Sequence, residues 1–315
     1  MSFALPPNNA NALCPCGLNI AGVRFALPGL TDPSSFSPAF QPFQHSTAPS
    51  DLDCAVFCSG PDDTLASQPA EPDKPWSFTV REGICELVRR SQAGEALWRI
   101  AGPLAFDRAT VTWNPLRFPA QYGSYERAWS TGLGLSLLVL RLRAQGGLVL
   151  HGAAAELDGQ GILCVGVSGT GKSTLARLLD AAGATVLTDE RPVLRQWPAP
   201  AAGAVPSTAF RLYGSPWPSS AGFVRDGWAP LRRIYFLEHG PTDRLTPLLP
   251  HAAVSRLIHV ATIPWQDPAL LDPCLATFDT LLRAVPCAVL AFRPTAAVVD
   301  LIRADLCRPA GRAHP

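Results

Sequence analysis

Gly166, Gly171, Lys172 and Ser173 stand at the spacing G-x-x-x-x-G-K-[ST] within "GVSGTGKSTL". Glycines at these places let the backbone curl until its amides face inward around phosphate oxygens. A helix starting at the lysine adds the positive end of its dipole. Lys172 is expected to neutralise charge on the β- and γ-phosphates, and the Ser173 hydroxyl to complete a magnesium shell. Ser168, Gly169, Thr170 and Thr174 fill out the loop and first helical turn, so this run is the expected contact for ATP or another nucleoside triphosphate. The plain alternative is a glycine-rich strand-to-helix turn without a ligand. An apolar strand before the motif and an amphipathic helix after it favour the phosphate loop.

The next acidic pair, Asp189 and Glu190, follows only one short helix later. A carboxylate placed there can face the terminal phosphate, as a ligand of metal-bound water or as a base for an incoming hydroxyl. Asp189 is the candidate base and Glu190 a candidate metal ligand beside Ser173. The bland reading is helix capping or a surface acidic pair. His151 ends the strand before the hairpin that feeds the loop; a histidine at a strand end is by itself more often structural. Arg191 either touches phosphate or pairs with a neighbour.

Elements must hold these groups in place. "GLVLHGAAAEL", the turn "DGQG" and "ILCVG" read as two strands with a tight connection. "KSTLARLLDAAG" reads as a helix closed by Gly183, and "ATVLTDE" as a strand ending on the two carboxylates. Downstream, "RRIYFLE" is expected to be a strand, 251–260 a helix and "CAVLAF" a last strand before a last helix over 295–306. Another helix is expected between 267 and 283, with Asp272 as cap and Pro273 in its first turn. Residues 198–206, rich in Ala and Pro, read as a loop.

Upstream, "LNIAGVRFALPGL" suggests a short strand and a proline turn, and "CAVFC" another strand. From Trp76 to Trp113 the runs "WSFTV", "ICELVRR", "ALWRI", "LAFD" and "ATVTW" alternate between glycine breaks, as an antiparallel meander does. A helix over 125–144 follows. A β-rich domain over 1–120 and a phosphate-loop domain over 121–315 are therefore expected, α/β in class and α+β overall.

Bulk properties bound the function. Of 315 residues, 47% are hydrophobic and 16% charged, which reads as globular. A net charge of +1 gives no electrostatic reason to expect nucleic acid as partner. Positive charge is nearly all arginine; only Lys74 and Lys172 are lysines. The apolar stretch 133–140 is cut off by Arg141 and Arg143 and is too short for membrane insertion. No secretory signal is visible. Nine cysteines, an odd number, point to a reducing cytoplasm rather than a disulfide scaffold. Cys14, Cys16, Cys54 and Cys58 are spaced too irregularly for a zinc site and read as ordinary thiols.

With these residues assembled, the segment from "LHGAAAELDGQG" through "GVSGTGKSTL" to "TVLTDERPVL" resembles the core of the HPr serine kinase/phosphorylase family. That family joins an "HG" dipeptide, a phosphate loop and a closely following "DD" pair, on a fold akin to phosphoenolpyruvate carboxykinase. The resemblance implies that Lys172 and Ser173 contact phosphate and Mg²⁺. It places Asp189 where the general base stands and His151 where the active-site histidine stands. Glu190 replaces the second Asp of the pair. "GLNIAGVRFALPGL", "YGSPW" and "VPCAVLAFRP" are similar to related proteins of peptide-modification clusters, including the lasso-peptide kinases. That likeness implies a peptide or small-protein substrate with a C-terminal serine, and leaves room for a homo-oligomer. The alternatives are a nucleotide-sensing module without turnover, and a small-molecule kinase or carboxykinase for which Arg211, Arg225, Arg232 and Arg233 are candidate cations.

Overall fold

The computed structural model describes residues 17–27, 36–45, 54–61, 65, 68, 71–73, 75–114, 129–197, 210–265 and 267–308. The chain divides into two compact units, residues 1–144 with 264–271, and residues 145–263 with 272–315.

The first unit is built on an eight-stranded sheet in the order β3-β1-β2-β4-β8-β7-β6-β5. Its strands are β1 (Gly17–Ile20), β2 (Val23–Ala26), β3 (Gln44–His45), β4 (Cys54–Pro61), β5 (Trp76–Arg81), β6 (Ile84–Arg90), β7 (Ala96–Pro103) and β8 (Arg108–Trp113). The expected meander is β5 to β8, each pair antiparallel. Two details differ. "LNIAGVRFA" folds as a two-strand hairpin turning at Ala21-Gly22, rather than a single strand. "LAFD" is the turn between β7 and β8: the Phe106 amide bonds back to the Pro103 carbonyl, and its ring is fully buried beneath the turn.

A helix, α1 (Gly134–Arg143), follows a kinked turn over Trp129–Leu133 that breaks at Gly132. The expected helix was longer; residues 121–128 lie outside the described ones. This helix belongs to the first unit. The physical reason is packing. Trp129 meets Phe25 edge to face, with centroids 5.1 Å apart, and Leu137, Leu138, Leu140 and Leu142 are buried. Arg141 and Arg143 are buried too, donating to the carbonyls of Ala105 and Leu104. No helix among the described residues is long and apolar enough to cross a membrane.

The second unit holds β9 (Gly147–Val149), β10 (Gly152–Leu157), β11 (Gln160–Val165), α2 (Lys172–Ala181), β12 (Thr185–Thr188), β13 (Val193–Gln196), β14 (Phe210–Tyr213), β15 (Trp228–His239) and β16 (Arg244–Leu248). After these come α3 (Pro250–Val260), α4 (Pro268–Ala284, of which 268–271 belong to the first unit), β17 (Cys287–Phe292) and α5 (Ala297–Leu306). The long strand β15 joins two sheet segments. Its start pairs with β14, which continues to β13 and β9; its remainder lies parallel to both β11 and β17. β10 joins β11 to β12, antiparallel to each, so β11, β12, β15 and β17 all point the same way. Chain ends at that edge converge, which is where ligands bind in sheets of this kind.

The "DGQG" turn narrows to Asp158-Gly159, because Gln160 already pairs with Leu157. Both turn residues have positive φ, 52° and 76°, the geometry that suits a two-residue hairpin. One face of the sheet carries Ala153, Ala155, Ile162, Tyr235 and Leu290, and packs against Leu175, Ala176 and Leu179 of α2 and Val298, Val299 and Ile302 of α5. The alanines of β10 let the helix approach closely.

Helix α4 corrects the expected cap. It starts beside Asp267, whose carboxylate accepts the Ala269 amide at 2.8 Å, and it runs straight through Pro273. A proline inside a helix removes the bond to the carbonyl four residues back. Here that carbonyl is Ala269's, and Arg143 donates to it at 3.3 Å. The loop expected over 198–206 lies outside the described residues.

Candidate functional site

The phosphate loop connects β11 to α2 at the converging edge. Gly171 caps the helix with φ 93°, a conformation that leaves glycine favoured. A side-chain carbon added to Gly166 would lie 2.5 Å from the Thr170 hydroxyl, so the loop closes on itself there. Thr170 secures it by donating to the Val167 carbonyl at 2.9 Å. His239, at the end of β15, makes a 2.8 Å hydrogen bond to the Gly169 carbonyl. Ser168 and Gly169 are exposed and Thr174 lies on the exposed side of the first helical turn.

Lys172 is buried, and its ammonium donates to the Gly166 and Val167 carbonyls at 2.8 and 2.9 Å. Burial lowers its pKa from the ordinary lysine value; Glu190 opposes that and Arg191 adds to it. The group thus sits in the cup of the loop with one donor to spare. First-turn amides of α2 have no acceptor inside the helix. This donor set, a compact loop with left-handed glycines, an ammonium and a helix N-terminus, fits a triphosphate and its Mg²⁺.

The two carboxylates after β12 go to different company. Asp189 is fully buried and accepts three hydrogen bonds from one segment: the Ser219 amide at 3.2 Å, the Ser219 hydroxyl, and the Ala221 amide at 3.2 Å. The Ser219 oxygen also lies 3.2 Å from the Ser173 oxygen. A hydroxyl has one proton, and Ser219 gives its own to Asp189, so Ser173 is the donor in that pair. Ser173, Ser219 and Asp189 form a relay.

Glu190 lies 3.2 Å from His151 Nδ1 and 3.5 Å from Arg191. The Nδ1 atom is buried and close to the carboxylate, though not aligned for a hydrogen bond. Desolvation lowers the His151 pKa below its usual value, with the Lys172 charge next; Glu190 pulls it back up and Arg191 pushes it down. The backbone is clamped here: the His151 amide bonds to the Val260 carbonyl and the Gly152 amide to the Glu190 carbonyl. Among the contacts of the described residues, the carboxylate linked to Ser173 is that of Asp189, whereas Glu190 faces cations.

Ser219 is the residue that sequence reasoning missed, and His239 another. Ser219 is delivered by the excursion 214–227 between β14 and β15. "YGSPW" opens it, and Gly214 is required because an added carbon would lie 2.0 Å from the Arg225 carbonyl. The returning chain bonds to β12 through the Arg225 amide and the Leu187 carbonyl, at 3.0 Å, and through a bridge between Thr188 and Val224. The only signal was a cluster of small polar residues, "PSSAG", which reads as a turn and nothing more.

Three of the four candidate cations of the alternatives are used otherwise; Arg225 is exposed. Arg211 is stacked between the rings of Trp197 and Trp228, 3.4 and 3.6 Å from their centroids. Arg233 pairs with Asp305 and Arg232 donates to the Arg308 carbonyl. Cys54 is buried in β4, the side chain of Cys58 and all of Cys14 and Cys16 lie outside the described residues, and no cluster of metal-ligating side chains occurs among the described ones.

Comparison with known proteins gives likenesses of two kinds, to a family model and to solved structures. Residues 128–273 match the family model described as ScmC, SynChlorMet cassette protein ScmC. Among solved structures, the HPr(Ser) kinase/phosphatase from Coxiella burnetii is similar at 14% identity and a TM-score of 0.25, over 50% of this chain and 92% of that one. That overlap is too loose to carry an argument about fold or activity. No curated protein matches the sequence.

Proposed function

We propose that this protein is an ATP- and Mg²⁺-dependent phosphotransferase that moves the γ-phosphoryl group to a serine hydroxyl of a peptide or small protein. The observation that carries the reading is the Asp189 carboxylate, which already holds a serine hydroxyl next to the Walker serine Ser173. That is the arrangement a base needs in order to take the proton of an acceptor hydroxyl.

Each residue has a task in this reading. The loop 166–174 and the α2 N-terminus hold the triphosphate through backbone donors, and Lys172 turns from loop carbonyls to phosphate oxygens. Ser173 and Glu190 are the proposed metal contacts, and bound Mg²⁺ would supply positive charge to the phosphate oxygens. Asp189 orients and deprotonates the acceptor. His151, whose proton affinity is lowered by burial and by the Lys172 charge, stands beside Glu190 without adding a further positive charge. The acceptor implied by the sequence likeness is a precursor-type peptide ending in serine.

The test is intact-mass analysis of a serine-terminated peptide after incubation with the protein and Mg-ATP. The expected product is heavier by one phosphoryl group, and nucleotide binding without any such product would identify a sensor instead.

A further inference from the structure

The hydroxyl on Asp189 belongs to the protein itself. We infer that Ser219 is a self-phosphorylation site, used in cis; this rests on the phosphotransferase reading above.

Several independent contacts hold Ser219 as an acceptor would be held. Its hydroxyl donates to Asp189, and its oxygen lies 3.2 Å from Ser173. Its own amide and that of Ala221 bind the same carboxylate, which fixes the hydroxyl in register. The Gly222 amide closes the turn on the Ser219 carbonyl at 3.2 Å, and the excursion is tied to β12 at Leu187 and Thr188. The neighbouring Ser220 is exposed, and none of the hydrogen bonds to Asp189 comes from it. Capping the turn would need only a backbone amide on Asp189. A hydroxyl shared with the Walker serine goes beyond that.

The chemistry balances with a nucleoside triphosphate as co-substrate. The Ser219 oxygen forms a bond to the γ-phosphorus while the bond from that phosphorus to the β–γ bridging oxygen breaks. The nucleoside diphosphate leaves with that oxygen, and the serine proton passes to Asp189. Once Asp189 releases that proton to solvent, a phosphate stands against a carboxylate, and like-charge repulsion drives the turn off the base. Self-phosphorylation thereby exposes Asp189 to an external hydroxyl.

The test uses the full chain with Mg-ATP and no acceptor, followed by peptide mapping by mass spectrometry. Phosphate is expected on Ser219, with a first-order rate independent of protein concentration. Ser219→Ala and Asp189→Asn should lose it, Ser219→Thr should carry it on threonine, and Ser220→Ala should leave it unchanged. A second arm adds a serine-terminated peptide. Peptide phosphorylated with Ser219 unmodified overturns this inference and leaves the phosphotransferase reading intact. Nucleotide bound with no phosphate on either overturns both. Modification of Ser220 alone, or a rate that rises with protein concentration, also overturns it.

Discussion

Asp189 and Glu190 are neighbours in sequence with identical charge, yet they inhabit opposite surroundings. The first is fully buried among hydroxyls and amides, and the second is partly exposed among His151, Arg191 and Lys172. Successive residues leaving a strand point to opposite sides, so a single chain end supplies both settings. In the proposed reading the difference separates two tasks, proton acceptance on the Asp189 side and charge balance on the Glu190 side. A pair of like carboxylates at one spot would instead raise each other's affinity for protons.

Variants can break or sharpen this division. The broadest effect is expected from Lys172→Ala, which touches both sides. It should weaken nucleotide binding, measured by calorimetry, and slow transfer on the order of a hundred- to thousand-fold, the usual loss for one contact of this type. On the Asp189 side, Gly214→Ala should force the Arg225 carbonyl away and displace the Ser219 turn. A destabilisation of about 1–3 kcal/mol is expected from such crowding, read from urea unfolding.

Smaller shifts report on the Glu190 side. Followed by NMR, the His151 pKa should rise in Lys172→Ala, where a repelling charge is gone, and fall further in Glu190→Gln, where an attracting charge is gone. Stability should follow the same group. Its folded pKa lies below the unfolded value of 6.5, so the unfolded chain takes up the proton first as pH falls. Stability therefore declines as pH drops through 6.5 and levels off below the folded pKa. His151→Gln should flatten that part of the unfolding profile, and an unchanged profile would remove His151 as its source.

Much of the Glu190 side was legible in the sequence, because it is local: β10, the hairpin, the loop, α2 and β12 follow one another with clear periodicity. The Asp189 side was only half legible. Ser219 reaches the carboxylate across a gap of thirty residues in sequence, through a backbone crossing at Gly214 that no periodic pattern announces. The same holds for α4, where a proline looked like a helix start because the arginine that satisfies the Ala269 carbonyl stands far upstream. Short or partly exposed strands also escaped, such as β13 and the proline-bearing β16. β13 is only four residues long, and β16 pairs on one side alone, so neither offers enough alternating residues to read.

The central claim is that Asp189 takes the proton of a serine hydroxyl at the phosphate loop. Transfer from Mg-ATP by Asp189→Asn, measured under single turnover alongside nucleotide affinity, tests it most directly. The account predicts near-normal affinity with transfer reduced by roughly 10²–10⁴-fold, the range for a lost general base. Transfer at the wild-type rate by a folded, nucleotide-bound Asp189→Asn protein would contradict it.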